Sequence, residues 1–187
     1  GHLSAQNLRI HGSSWKLLRT SVDASPSQLS LQNAELDPAA QGHITLSASA
    51  QLHNWTFSKA SPLEIKLNAS QLDVSDLAHL AGQQPPVTST LAANIAIHGS
   101  VLNPVGNGSV TLTKAAAYGE PITSAKVDFN GSGDQAHATL AINSPAGSIS
   151  GDVTASPNRK TYTAELTSTG IHLDKVQQLQ ASSAKPT

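Results

Sequence analysis

The chain of 187 residues has neither cysteine nor methionine. Without cysteine it can hold no disulfide and no thiolate zinc site, a usage compatible with a bacterial periplasm. Without methionine the initiator is missing, so the chain is expected to be a processed product or an excised portion, with Gly1-His2 read as a cloning remnant. Aromatic residues make up only 3% and charged residues only 12%, for a net charge of −1. The eleven Lys and Arg are scattered. They do not form the basic stripe that a phosphate backbone requires, and nucleic acid is not an expected partner. With 38% hydrophobic residues and almost no net charge, the chain also lacks the signature of disorder. No apolar run approaches the ~20 residues of a membrane-spanning helix, so any membrane anchor is expected outside these residues.

What the chain does have is a period of two. Ile44, Leu46, Ala48, Ala50 and Leu52 alternate with Thr45, Ser47, Ser49 and Gln51. Leu63, Ile65, Leu67 and Ala69 alternate with Glu64, Lys66 and Asn68. The rhythm continues at Leu91–Ile97, Val110–Leu112, Ala125–Phe129, Ala136–Ile142, Ile149–Ala155 and Tyr162–Leu166. Strict alternation gives each strand one apolar and one wetted face. Such strands pair antiparallel, because buried parallel strands read as continuous apolar runs. Turn residues sit where the alternation breaks: Asn103-Pro104, Gly106-Asn107-Gly108, Tyr118-Gly119, Asn130-Gly131, Ser144-Pro145 and Ser156-Pro157-Asn158. Asn130-Gly131 suits a hairpin between Lys126–Phe129 and Gln135–Ile142.

The two halves also resemble one another. Leu17, Val22, Asp23, Gly42, Ile44, Ala48 and Ala50 fall opposite Ile122, Val127, Asp128, Gly147, Ile149, Val153 and Ala155, each pair 105 positions apart. Beyond a loop of different length, Leu67, Leu72, Leu77 and Leu80 face Leu166, Ile171, Val176 and Leu179 at a separation of 99. A short helix is expected over Asp76–Ala81, with Ser75 as N-cap and Gly82 at C′, before Pro85-Pro86. Its counterpart begins at Asp174. The expected organisation is therefore a first β unit at 1–86, truncated at its start, a second at 87–181, each ending in a short helix, and a flexible tail at 182–187. Such a chain is a slice of an array, and neighbouring repeats become partners.

No catalytic constellation emerges, and an enzyme is not expected. The eight His form neither a helical i, i+4 pair nor an HExxH pattern. His43, His53, His98 and His137 read as strand or strand-end residues. Asp73 and Asp76 are explained by helix capping, and Gly106-Asn107-Gly108 lacks the helix that a phosphate loop demands. No metal or cofactor is expected. The apolar face itself is the candidate site, built from small aliphatic residues with Trp15, Trp55, Phe57, Tyr118, Phe129 and Tyr162 as its only aromatics. Because aromatics dominate ordinary core burial, such a face suits a trough that another molecule fills. The competing architecture is a closed β-sandwich whose two sheets cover each other.

His98-Gly99-Ser100-Val101-Leu102-Asn103-Pro104 followed by Gly108-Ser109-Val110-Thr111-Leu112, then Tyr118-Gly119 and Pro121-Ile122, resembles the AsmA and TamB group of bacterial envelope proteins. The leucine-spaced segments Leu72–Leu80 and Ile171–Leu179 resemble that group's inter-strand helical breaks. The resemblance implies an all-β fold with one or two short helices and a strongly curved antiparallel sheet folded like a taco around an open apolar trough. It implies a periplasmic segment of a protein anchored in the inner membrane, without catalytic residues. The implied role is to bind or conduct phospholipid acyl chains between the membranes, or to support outer-membrane protein assembly with an assembly protein as partner. The residues expected to line the trough are Ile44, Leu46, Ile65, Leu67, Ile95, Ile97, Val110, Leu112, Val127, Phe129, Leu140, Ile142, Ile149, Val153 and Leu166. Two other classes compete. A non-catalytic adhesin or glycan-binding module would want an aromatic platform or acidic calcium loops, and an outer-membrane barrel segment would want aromatic girdles.

Overall fold

The computed structural model describes residues 1–10, 13–80, 82–83 and 86–176. Eleven antiparallel strands form one sheet whose spatial order is their chain order. They are β1 (His2–Ile10), β2 (Ser13–Ser25), β3 (Gln28–Pro38), β4 (His43–Gln51), β5 (Leu63–Asp73), β6 (Val87–Gly99), β7 (Pro104–Ala117), β8 (Glu120–Ser132), β9 (Ala136–Ser144), β10 (Gly147–Ser156) and β11 (Thr161–Thr169). Helix α1 (Val74–Leu80) follows β5, and a single 3₁₀ turn, Leu173–Lys175, follows β11. The sheet is open: β1 and β11 lie at its two edges and do not pair with each other. Among the described residues no second sheet faces it, so the fold is all-β and not a two-sheet sandwich.

Every strand follows its sheet neighbour directly, so each pairing closes a short loop and costs little chain entropy. The alternating segments from Ile44 onward all become strands. The sheet is continuous across residues 86–87, because β5 and β6 pair from Leu63↔Gly99 to Asp73↔Thr90.

Several local expectations are corrected. Gly106-Asn107-Gly108 is no turn but lies inside β7, where Asn107 pairs with Ala96 on one side and Asn130 on the other. Glycine is needed there for space: a Cβ on Gly106 would lie 2.1 Å from the Ala96 carbonyl oxygen, and one on Gly108 would lie 2.2 Å from the Phe129 ring. Asn130-Gly131 is likewise strand, paired with His137 and Ala136. The reversal comes later, where the Ser132 amide donates to the Gln135 carbonyl at 2.9 Å. The N-cap of α1 is Asp73 rather than Ser75, its carboxylate accepting from the Ser75 amide at 2.8 Å and the Ser75 hydroxyl at 2.5 Å. After β11 the described residues carry a 3₁₀ turn with Asp174 inside it, and the rest of the expected helix lies outside the described residues. Ala81, Pro85, Leu179 and the tail at 182–187 lie outside the described residues.

The ladder is interrupted by bulges, two of them toward the end of the sheet that carries α1. Register shifts fall between Leu31 and Ala34, between Ala69 and Leu72, and between Thr88 and Thr90 opposite β7. The extra residues are Asn33, Gln71 and Lys114, all in the left-handed region with φ of 49, 52 and 50°. They occur on alternate strands, near the middle of β3 and toward the finish of β5 and β7.

The strain at Gly106 is testable. Its φ is +132°, so Gly106→Ala meets both a backbone clash and an unfavourable conformation. We expect a loss of about 2–4 kcal/mol, read as a lower urea midpoint. Gly119→Ala, where the added methyl meets nothing within 4 Å and φ is +83°, is expected to lose only about 1 kcal/mol. Equal midpoints would count against the close approach.

Candidate functional site

Residues directly opposite each other in an antiparallel ladder project from the same face. Followed from strand to strand, the registers carry the apolar residues across the sheet in rows. One row runs Leu46, Leu67, Ile95, Gly108, Phe129, Ala138, Val153 and Ala164. A second runs Ile44, Ala69, Ala93, Val110, Val127, Leu140, Gly151 and Leu166. On one flank lies Ala48, Ile65, Ile97, Gly106, Gly131, Ala136, Ala155 and Tyr162. On the other lies Leu72, Leu91, Leu112, Ala125, Ile142, Ile149 and Ser168. All fifteen expected lining residues fall in these four rows, on one face.

The rows contain no charged residue. From β4 to β11 they cover roughly 34 Å across the strands and 20 Å along them, from the spacings of strands and residues. A monomer's largest exposed apolar patch is usually only a few hundred Å². Among the described residues no second sheet covers this wall, although Leu72 at the α1 end is buried. Thirteen of the fifteen are half-buried, while Ile149 and Leu166 are 39% and 66% exposed. The chain as a whole exposes 11689 Å², against about 8500 Å² for a compact monomer of its mass.

Strands β2 and β3 extend the wall with residues that the alternation did not reveal. Leu31, Ala34 and Leu36 stand opposite Ala48, Leu46 and Ile44, and Val22 and Leu18 stand opposite Leu31 and Leu36. The signal was hidden by the bulge at Asn33, which moves the apolar positions from odd to even numbers within one strand. Trp15, paired with Pro38, lies on the same face.

The two ends of the wall differ. At the bulged end α1 packs against β6, β5 and β2. The Ser13 hydroxyl of β2 donates to the Asp76 carbonyl of α1 at 2.9 Å. Here Trp15 and Leu72 are 4% and 2% exposed, the best-packed large side chains of the described chain. At the other end Phe57, from the connection between β4 and β5, stands over Leu29, Leu31, Ala48, Ala50, Leu63 and Ile65. Together they line a cavity of about 300 Å³ with almost no polar surface. Asn54 and Trp55 in the same connection both take positive φ, 48 and 67°, in a tight turn closed by two hydrogen bonds between His53 and Thr56. That turn holds Trp55 in solvent, 62% exposed.

The opposite face carries ion pairs. Lys66 and Glu64 are 2.8 Å apart on β5, and Lys126 and Asp128 are 2.8 Å apart on β8. The hydrogen bond from Lys66 holds the Glu64 carboxyl below its ordinary pKa, and the one from Lys126 does the same for Asp128. These pairs are solvent-exposed and keep the outer face ionised and wetted. A shallow hollow of about 370 Å³ is lined by His43, Asn68, Asn94, Ser109 and Thr111 together with Ala69, Ala92 and Ala93. His43, His98 and His137 belong to strands, and His53 to the tight turn. No group of three or more potential metal ligands occurs among the described residues.

Wall openness predicts an uneven response to truncation. Leu72→Ala empties a packed site and should cost about 2–5 kcal/mol. Leu140→Ala, at the middle of the half-exposed wall, should cost less than about 1 kcal/mol. Urea unfolding of both variants checks this; a large loss at Leu140 would mean that the wall is covered in solution.

Compared with protein-family models, curated proteins and solved structures, the chain matches none of them.

Proposed function

We propose that this chain is a periplasmic segment of an AsmA/TamB-like envelope protein, and that its apolar wall holds phospholipid acyl chains passing between the inner and outer membranes. The observation that carries the reading is the set of four uncharged rows, three crossing eight strands and one crossing seven, over which no second sheet lies among the described residues. A monomer that leaves so much apolar surface in water gains free energy from any apolar guest. A hydrocarbon chain is the simplest guest for a wall whose rows carry hydrogen-bonding side chains only at the edge strand, Tyr162 and Ser168.

The energetics suit passage rather than capture. Burying a methylene is worth ~0.8 kcal/mol, and a chain on an open wall keeps one side wet, so roughly half of that is available. Small aliphatic residues in every row give neighbouring positions similar depth. Movement along the rows then exchanges one contact for another of nearly equal energy. The wet opposite face keeps the guest to one side. In the proposed setting the chain belongs to a longer protein anchored in the inner membrane, and the same wall would serve equally in outer-membrane protein assembly.

Ile97 and Leu140 lie in separate rows on separate strands. With a photo-crosslinker at Val127, whose ladder partners include Leu140, the wild-type chain should capture phospholipid. Ile97→Asp and Leu140→Asp together should reduce capture at least about tenfold. Native mass spectrometry should show co-purified phospholipid on the wild-type chain and little on the double variant. Unchanged capture in a folded double variant would rule out the wall as the lipid site.

A further inference from the structure

Two places in the sheet, one near each end of the apparent repeat, share a local geometry that pairing alone does not impose. A Cβ built on Gly42 would meet Leu72 Cδ2 at 2.7 Å, the Gln71 carbonyl oxygen at 2.9 Å and the Ser70 carbonyl oxygen at 3.0 Å. One built on Gly147 would meet Ile171 Cδ1 at 2.8 Å, the Gly170 carbonyl oxygen at 2.9 Å and the Thr169 carbonyl oxygen at 3.0 Å. The contacted residues correspond at a spacing of 99. Both glycines have positive φ, +108 and +137°, and Gln71 and Gly170 share the left-handed conformation at φ 52 and 62°. By this correspondence β11 occupies in the second half the place that β5 occupies in the first. Leu63, Ile65, Leu67 and Ala69 of β5 correspond to Tyr162, Ala164, Leu166 and Ser168 of β11.

Their surroundings differ in one respect. The far edge of β5 is paired along its length with β6. The far edge of β11 is paired with no strand among the described residues, and every residue of β11 is exposed. Exposed edges are usually blunted by Lys, Pro, a bulge or shortness. β11 is nine residues long, is paired to β10 without a register shift, and carries neither Lys nor Pro. At the other edge β1 is interrupted by Asn7 at φ 54° and carries Arg9.

We infer that the outer edge of β11 is a docking edge for one added antiparallel strand with the alternation of β6, small or branched apolar residues facing the wall and polar residues facing water. Main-chain hydrogen bonds would supply the affinity and the alternating side chains the register. By the β5–β6 ladder, Leu166 would stand opposite the position of Ile95, and Ser168 opposite that of Ala93. The added strand would lengthen every apolar row by one residue. The inference rests on the likeness of β5 to β11 and not on what the wall binds.

The test is a labelled peptide with the sequence Val87–Gly99, added to the full chain and followed by fluorescence anisotropy and hydrogen exchange. Saturable binding is expected, with protection confined to residues 161–169 and strongest at about every second amide, because alternate N–H groups face the edge. A peptide carrying Asn94→Pro and Ile95→Pro interrupts the ladder in either phase and should bind at least about tenfold more weakly. Absence of binding, protection at residues 2–10 instead, equal binding of the proline peptide, or protection of 161–169 by self-association without peptide would each overturn the inference.

Discussion

The structure depends on cross-strand register. In a ladder whose side chains alternate, a slip of one residue sends a whole strand's apolar set to the wrong face. Here nine consecutive pairings keep Leu, Ile, Val and Ala on one side from Val22 to Leu166. Where a strand would drift out of phase, a bulge restores it: the extra residue near Asn33 lets Leu31 and Ala34 both face the wall although they are three apart. The left-handed residues at Asn33, Gln71 and Lys114 are thus local strain spent on a continuous surface.

Holding register does not require a second layer, and its absence makes the fold unusual in energetic terms. The tightest packing is local, at Trp15 of β2 and Leu72 of β5, the two strands that α1 packs against together with β6. Elsewhere the sheet relies on its hydrogen-bonded ladders and on half-buried neighbours within the wall. Turn contacts add to this at the other end: Asn158 donates to Asn103 at 2.9 Å, and the Ser156 hydroxyl donates to the Asp134 carbonyl at 3.0 Å. One end is therefore anchored by packing and the other by polar contacts between turns. The wall between them keeps its apolar surface available to a guest.

Legibility in the sequence followed from how cleanly each strand alternates. From Ile44 onward apolar residues recur at every second position of the strands, with small Ala92, Ala96 and Ala141 between them, and all fifteen expected wall residues share one face. The first three strands were harder to read because a bulge between Leu31 and Ala34 breaks the period that identifies a strand. Glycine misled where it supplies room: Gly106 and Gly108 read as a turn, yet they let the Ala96 carbonyl and the Phe129 ring approach β7. Asp73 was recognised as a capping residue in the sequence, but its position as N-cap needed the backbone geometry.

The sequence by itself determined that the chain is antiparallel β with one apolar and one polar face, because a period of two leaves no other economical arrangement. Only the tertiary structure decided that the apolar face stays uncovered by a second sheet, since alternation is identical in a sandwich and in an open wall. It also decided where α1 packs and which edge stays unpaired among the described residues. Those depend on contacts between residues far apart in the chain, on which a local pattern carries no information.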